Sequence, residues 1–285
     1  MAEQRPDPII VFGAPRSGTT YLQELLNIHP DVFVSHETRI FAWLHDAVSV
    51  LTHEDRCLVT YREQFIDHLR SALPQVIRDF YRSLATDAIY WGDKNPHYAD
   101  WNNNGCLELV ADLFPNTRFI DLIRDGRHVV SSLLQMRTDD GTPWVDFDSA
   151  HHTWTQHVDR GHQFGGTLPS SHYRRIRYEQ LVTDDVGAAR ELFAYLDLDF
   201  DPAVEEFCLL QQRERTPFSR PARDLSAGVM ESSWSTIFTP EQRLRSLDLI
   251  GDRLVRYGYE TEASLEDLRA GIEADLGASA PRASL

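Results

Sequence analysis

The chain has 285 residues, of which 42% are hydrophobic and 25% are charged, and its formal net charge is −16. This length and composition are typical of a globular protein with a sizeable core. The acidic charge argues against a general nucleic-acid binder, which needs a basic face, and against binding to an anionic membrane surface. It leaves room for one small anionic ligand in a locally positive cleft.

The sequence contains no apolar run near the roughly 18 residues of a membrane span. A strand pattern begins within about ten residues of Met1, so we expect no signal peptide. The three cysteines, Cys57, Cys106 and Cys208, have no metal-like spacing. We therefore expect reduced thiols and a cytoplasmic location.

The first predicted strand, "PIIVFGAP", leads into the loop "GAPRSGTT" (Gly13–Thr20) and a helix that stops before Pro30. The glycines have the spacing of the nucleotide-triphosphate loop GxxxxGK[ST], but Thr19 replaces its lysine. Backbone N–H groups at Arg16–Thr20 and the positive end of the helix would hold an anion. A tight structural turn is the alternative.

The second predicted strand, "VFVSH" (Val32–His36), is followed by Glu37, which could act as a base or be a solvated charge. Residues 40–90 are predicted to form helices, in the successive segments "IFAWLHDAVSVL", "YREQFIDHLRSAL" and "PQVIRDFYRSLA". The segment "WGDKNP" (Trp91–Pro96) is predicted to be a turn and contains Lys94, the single lysine among 28 lysine and arginine residues. This solitary lysine suggests a site that needs a compact ammonium, although an ordinary surface cation is the alternative.

A third strand is predicted at Arg118–Ile123, directly before "RDGRHVVSS". Arg124 at the strand end and Ser132 on the next helix would suit a phosphate monoester. The alternative is a local ion-pair cluster of Arg124, Asp125 and Arg127.

Residues 138–164 are rich in Trp, Phe and His and are predicted to be a wall or lid of an acceptor pocket, with core packing as the alternative for Trp154. The region contains four histidines whose spacing to carboxylates does not indicate a metal, so we interpret them as one helix face. They are His151, His152, His157 and His162.

A further strand is predicted within "HYRRIRYEQLV", and the last helix pattern begins with Thr239 as N-cap and Pro240 at its first position. The alternation of strands and helices predicts an α/β, P-loop-type three-layer fold with a central, mostly parallel sheet wrapped by helices. We expect a single domain over residues 1–260 and a C-terminal tail over 261–285 that is helical and then frayed.

Together these segments resemble the sulfotransferases that use 3′-phosphoadenosine 5′-phosphosulfate (PAPS). "APRSGTT" is similar to their 5′-phosphosulfate loop and "FPNTRFIDLIRDGRHVVSSLL" to their 3′-phosphate segment, and "IRYEQLV" (Ile176–Val182) is typical of a strand in this family. The tyrosylprotein sulfotransferase branch is most similar, on His29–Pro30, "SHETR" and the lysine segment. The resemblance spans roughly residues 9–200 and continues weakly to about 260.

The resemblance implies PAPS as co-substrate, no metal, and a role for each matching residue. Glu37 would be the general base, with His36 as the next candidate, and Lys94 would stabilise the bridging oxygen as adenosine 3′,5′-bisphosphate leaves. Arg16 would contact the sulfuryl oxygens. The residues implied in donor binding are Arg16, Ser17, Gly18, Thr19, Thr20, Arg124, Ser132 and Tyr178.

The sequence departs from that branch near its C-terminal end. Ser232-Ser233-Trp234 lacks the lysine of a serine–lysine–tryptophan segment. Ser219 could match a serine that helps the leaving group, and Arg220 or Arg223 could replace the lost cation.

We expect a sulfotransferase that acts on a hydroxyl of a small or medium-sized molecule, namely a lipid, sugar or natural-product alcohol. Protein-tyrosine sulfation is the rival within this class. It is less favoured, because a strongly negative surface would repel its acidic substrates unless the cleft is locally basic. A P-loop nucleoside-triphosphate kinase or NTPase and a non-catalytic binder are the alternatives from other classes.

Overall fold

A computed structural model describes residues 6–52, 61–85, 87–100, 105–214 and 232–279. The strands are β1 Ile9–Gly13, β2 Val32–His36, β3 Tyr90–Lys94, β4 Arg118–Ile123 and β5 Tyr173–Arg177. The helices are α1 Thr19–Asn27, α2 Ile40–Thr52, α3 Arg62–Leu84, α4 Cys106–Leu113, α5 Gly126–Leu134, α6 Phe147–Gly165, α7 Tyr178–Thr183, α8 Asp185–Tyr195, α9 Pro202–Glu214, α10 Ser232–Ile237, α11 Pro240–Arg256 and α12 Glu262–Ser279, with a 3₁₀ turn at Pro96–Ala99.

The chain divides into two compact units. The first lies within Met1–Ile123 and Gln156–Ser219, and the second within Arg124–Thr155 and Arg220–Leu285. The prediction of one domain with a C-terminal tail stays a prediction.

The first unit contains a five-stranded parallel sheet with the strand order β2-β3-β1-β4-β5. β1 is buried along its whole length, and β4 is buried except at its first residue, as expected for strands covered on both faces. One side of the sheet packs on an aromatic cluster that includes Phe41, Tyr81, Trp91 and Phe114. The predicted α/β fold with a central parallel sheet and flanking helices is confirmed.

Three local predictions were wrong. β3 was predicted to be a turn, because Gly92 and Asp93 weaken a strand pattern. "IRYEQLV" was predicted to be a strand, but β5 ends at Arg177 and α7 follows at once. The two helices predicted between residues 61 and 85 form one helix, α3, which contains Pro74.

The second unit is helical in its described part. The N-cap of α5, Asp125, is held by Arg127, which also donates to Glu260 over 2.6 Å and lies over the Trp234 ring. Trp154 is fully buried and donates from its indole nitrogen to the Arg124 carbonyl, so core packing was the correct interpretation for Trp154.

Among the helices of the described ranges, none has both the length and the apolar composition that crossing a bilayer requires.

Candidate active site

The loop between β1 and α1 contains a backbone that only certain residues adopt. Gly13 approaches β4 so closely that a Cβ would lie 2.2 Å from the Leu122 carbonyl oxygen. Gly18 is the N-cap of α1 at φ 95°, and Arg16 has a φ of 74°, which is uncommon outside glycine. Glycine is therefore required at Gly13 and Gly18, the two positions that begin and end the loop.

The N-terminal end of α1 has the features of an anion site. Its N-cap provides no side-chain hydrogen bond, so the first N–H groups of the helix point out of the helix without that partner. The Ser17 hydroxyl oxygen is buried and has no hydrogen-bond partner among the described residues. A phosphate or sulfate oxygen would satisfy these donors, so the residues present fit a phosphosulfate group.

Tyr178 belongs to this loop through packing. It begins α7, is buried, and its ring lies against Gly18, where a Cβ would be 2.4 Å from the ring. The structure therefore brings Tyr178 to the loop, and its contact with a nucleotide stays a prediction.

Lys94 ends β3 and is fully buried, with 0% of its side chain exposed. Its Nζ donates to Glu37 Oε1 over 2.6 Å and to Thr20 Oγ1 over 3.3 Å. Burial lowers the pKa of Lys94 from its ordinary value, and the hydrogen bond and charge of Glu37 act in the opposite direction. The ammonium is thus a buried cation between the loop and a carboxylate, which contradicts the alternative of a surface cation.

Glu37 follows β2 and adopts a left-handed backbone, with a φ of 52°. The β2–β3 register pairs His36 with Lys94, and the Glu37 N–H donates to the Lys94 carbonyl over 2.8 Å. Burial alone would raise the pKa of Glu37, but the hydrogen bond and charge of Lys94 outweigh it and the pKa is lowered. The side chain is 39% exposed and ionised at neutral pH, so it can both reach a substrate and accept a proton.

The alternative base, His36, is more exposed than Glu37, and its Nδ1 lies 2.9 Å from Gln23 Oε1. Its Nε2 is 3.8 Å from Glu37 Oε1. His36 therefore lies beside the carboxylate.

Sequence reasoning missed a buried carboxylate that supports this corner. Asp93 accepts hydrogen bonds from the Ser35 hydroxyl (2.5 Å), the Thr38 N–H (3.2 Å) and the Tyr98 hydroxyl. Burial raises the pKa of Asp93 and these bonds lower it in part. Since Thr38 follows Glu37 directly, the hydrogen bonds of Asp93 hold in place the segment that carries the Glu37 carboxylate. The position of Asp93 directly before the only lysine of the sequence was the signal that could have indicated its role.

Arg124 and Ser132 belong to the second unit, where Arg124 is buried and Ser132 lies on α5. Of the alternative ion-pair cluster, the structure contains the Asp125–Arg127 pair at 2.6 Å. Joint binding of a 3′-phosphate by Arg124 and Ser132 stays a prediction. Ser219, Arg220 and Arg223 lie outside the described residues.

The parallel sheet, the glycine loop and the buried Lys94–Glu37 pair are the features expected of a transferase with a P-loop-like loop for an anionic group. The model of the sulfotransferase family matches residues 8–202. The chain belongs to this family, and the predicted family and enzyme class, a sulfotransferase, are confirmed.

Curated relatives have protein-tyrosine sulfotransferase names. A putative one from Caenorhabditis briggsae is 27% identical over 276 residues, which cover 91% of each chain. The Drosophila melanogaster protein-tyrosine sulfotransferase is 26% identical over 221 residues, 75% of this chain and 43% of that protein. The chain thus spans less than half of the Drosophila relative.

Solved structures share the fold. The sulfotransferase domain from the curacin biosynthetic pathway has a TM-score of 0.54 and 20% identity, and the match covers 87% of this chain and 99% of that one. This similarity concerns the fold alone.

Proposed function

We propose that this sulfotransferase moves a sulfuryl group from PAPS to a hydroxyl of a small or medium-sized acceptor such as a lipid, sugar or natural-product alcohol. The observation that carries the proposal is the position of Lys94, whose buried ammonium joins Thr20 of the anion loop to Glu37. A cation and a carboxylate beside an anion loop are the groups that sulfuryl transfer requires.

The donor would bind with its 5′-phosphosulfate in the loop. The N–H groups at the start of α1 and the Ser17 hydroxyl provide donors, and Arg16 adds charge for the sulfuryl oxygens. Tyr178 packs against Gly18 and would contact the nucleotide. The resemblance assigns the 3′-phosphate to Arg124 and Ser132.

In the reaction, the acceptor oxygen forms a bond to sulfur while the bond between sulfur and the bridging oxygen of the donor breaks. Glu37 takes the proton of the acceptor hydroxyl. The electron pair of the broken bond stays on the bridging oxygen, where negative charge grows. An ammonium has three donors and the described residues accept two of them, so Lys94 can offer the third to this oxygen.

The overall charge supports a neutral acceptor. Acidic segments around a tyrosine would be repelled by a chain with net charge −16. Protein tyrosine is the second candidate, because the curated relatives carry that name. Cytoplasmic location stays a prediction.

The donor is tested by calorimetry with adenosine 3′,5′-bisphosphate and with 5′-AMP. Losing the charge-assisted contacts of the 3′-phosphate costs about 1.5–3 kcal/mol, so we expect 5′-AMP to bind about 10- to 150-fold more weakly. Equal affinity for both nucleotides would contradict the donor assignment.

The acceptor is tested with labelled PAPS and three substrates: an aliphatic alcohol, a neutral phenol and an acidic tyrosine peptide. We expect transfer to the alcohol or phenol and weak transfer to the peptide. Efficient sulfation of the peptide alone would establish the second candidate.

A further inference from the structure

A cluster of two histidines and an aspartate lies in the first unit, outside the residues assigned to sulfuryl transfer. His97 lies in the 3₁₀ turn after β3, Asp100 is the residue that caps the end of this turn, and His157 comes from α6. Each offers one ligand atom, and the three atoms all lie within 4.8 Å of one another. Three metal-ligating side chains from two separate elements therefore converge on one point.

Local structure explains how the turn presents its two ligands. Asn95 caps the turn by accepting a hydrogen bond from the His97 N–H over 3.0 Å, and Pro96 fixes the first turn residue. Asp100 ends the turn by donating its N–H to the His97 carbonyl over 3.1 Å, and the two side chains come together there, with Nδ1 and Oδ2 3.7 Å apart.

The third ligand residue comes from a buried position. His157 is 2% exposed, and its ring centroid lies 6.1 Å from that of His97. The cluster thus joins a buried imidazole of α6 to a half-buried histidine–aspartate pair. The interpretation of His157 as part of a plain helix face did not foresee the distant partners.

The geometry suits a small cation. A point within about 2.8 Å of all three atoms exists, since 4.8 Å divided by √3 is the largest distance that such a triangle requires. Zn²⁺ bonds to histidine nitrogen and carboxylate oxygen at about 2.0–2.2 Å, so each ligand needs to approach by less than about 1 Å. Two imidazoles favour zinc or cobalt over the oxygen-seeking Mg²⁺ and Ca²⁺.

We propose that His97, Asp100 and His157 form a binding site for a divalent transition metal of the zinc type. Three protein ligands leave one coordination position open for water or another oxygen. The turn begins directly after Lys94 and Asn95, so the cation would fasten the carboxyl end of β3 to α6. This site is a stabilising device for the segment that carries Lys94 and is separate from the donor loop.

The test uses the full chain without a histidine tag, stripped with a chelator and titrated with Co²⁺, in the absence of donor and acceptor. We expect one Co²⁺ per chain with the visible absorption of a tetrahedral nitrogen–oxygen site, displacement by Zn²⁺, and a higher melting temperature with metal. Since these readouts require no sulfuryl transfer, their failure is distinguishable from failure of the proposed function.

Two variants with partly exposed side chains test the ligands. Replacing an outer-shell partner of a metal costs 10- to 100-fold in affinity, so Asp100→Asn and His97→Ala should each weaken Co²⁺ binding by at least about tenfold. The control, His162→Ala, changes a histidine of the same helix outside the cluster and should bind Co²⁺ as the wild type does. Absence of stoichiometric Co²⁺ binding in the wild type would overturn the proposal. So would wild-type Co²⁺ affinity in both Asp100→Asn and His97→Ala.

Discussion

Replacing Lys94 with methionine removes the ammonium while keeping a side chain of similar length. Lys94 is 0% exposed and donates to Glu37 and Thr20 over 2.6 and 3.3 Å, so water cannot take over its role. Loss of one donor aimed at charge that grows in the transition state costs about 10²- to 10³-fold in kcat, or about 2.7–4 kcal/mol. The contact strengthens only during transfer, so we expect the affinity for intact PAPS, measured without acceptor, to change by no more than a few-fold.

The same structure predicts how stability responds. Removing one partner of a buried ion pair is costly when the remaining charge stays buried, but Glu37 is partly exposed and its carboxylate can be hydrated once the ammonium is gone. Lys94→Met should therefore keep the wild-type melting temperature. Lys94→Arg keeps the charge but forces a larger group into a filled site, which costs about 1–3 kcal/mol, and should also lose turnover.

The assay combines turnover of labelled PAPS, calorimetry with PAPS in the absence of acceptor, and thermal melting. Arg78→Met is the matched control, because Arg78 is another buried cation, paired with Asp7 over 2.6 Å before the start of β1. It should lose stability and keep its turnover per folded molecule. Wild-type turnover in Lys94→Met or Lys94→Arg would refute the leaving-group role of Lys94.

The remaining predictions concern the base, the loop and stability at low pH. Glu37→Gln should lower kcat by roughly 10²- to 10⁴-fold, and near-wild-type turnover would point to another base. Gly18→Ala places a Cβ 2.4 Å from the Tyr178 ring at a φ of 95°, so bisphosphate binding should weaken at least about tenfold by calorimetry, and unchanged affinity would contradict the loop assignment. Burial lowers the pKa of His128 to about 4, against the opposing charge of Asp125. As the pH falls, the unfolded state therefore takes up a proton on His128 before the folded state does, and up to about 3 kcal/mol of stability is lost between about pH 6.5 and 4. The free energy of urea unfolding of His128→Gln should depend less on pH over this range. An unchanged dependence would exclude His128 as the source of the stability loss.

Much of the fold could be predicted from the sequence because the relevant signals are local. The apolar run before Gly13, the glycine spacing and the helical period after Gly18 occur within one continuous stretch, and all three features are in the structure. The capping box at Thr239 is another local signal, with its hydroxyl accepting from the Gln242 N–H. Such patterns depend only on residues that are close in sequence, so they can be recognised without knowledge of the tertiary structure.

The environment of Lys94 could not be predicted in this way. A buried lysine is tolerable only when its partners are present, and these partners, Thr20 and Glu37, lie 74 and 57 residues away. The same limit applies to His157, whose cluster partners lie about 60 residues earlier. Without the sheet register, polar residues such as Asp93 and Lys94 favour a turn, and β3 was missed.

The Lys94–Glu37 pair also constrains how the reaction can proceed. In-line transfer places the attacking and the leaving oxygen on opposite sides of sulfur, so a base directed at one oxygen and a cation directed at the other are drawn apart from their 2.6 Å contact. Lys94 is fully buried at the end of a central strand, whereas the Glu37 side chain is 39% exposed on a loop. We therefore expect the Glu37 carboxylate to swing toward the acceptor while Lys94 stays with Thr20 and the donor. For that reason Glu37→Gln should bind the bisphosphate at least as tightly as the wild type by calorimetry, since its amide competes less for the ammonium; weaker binding would show that the carboxylate helps to hold the donor.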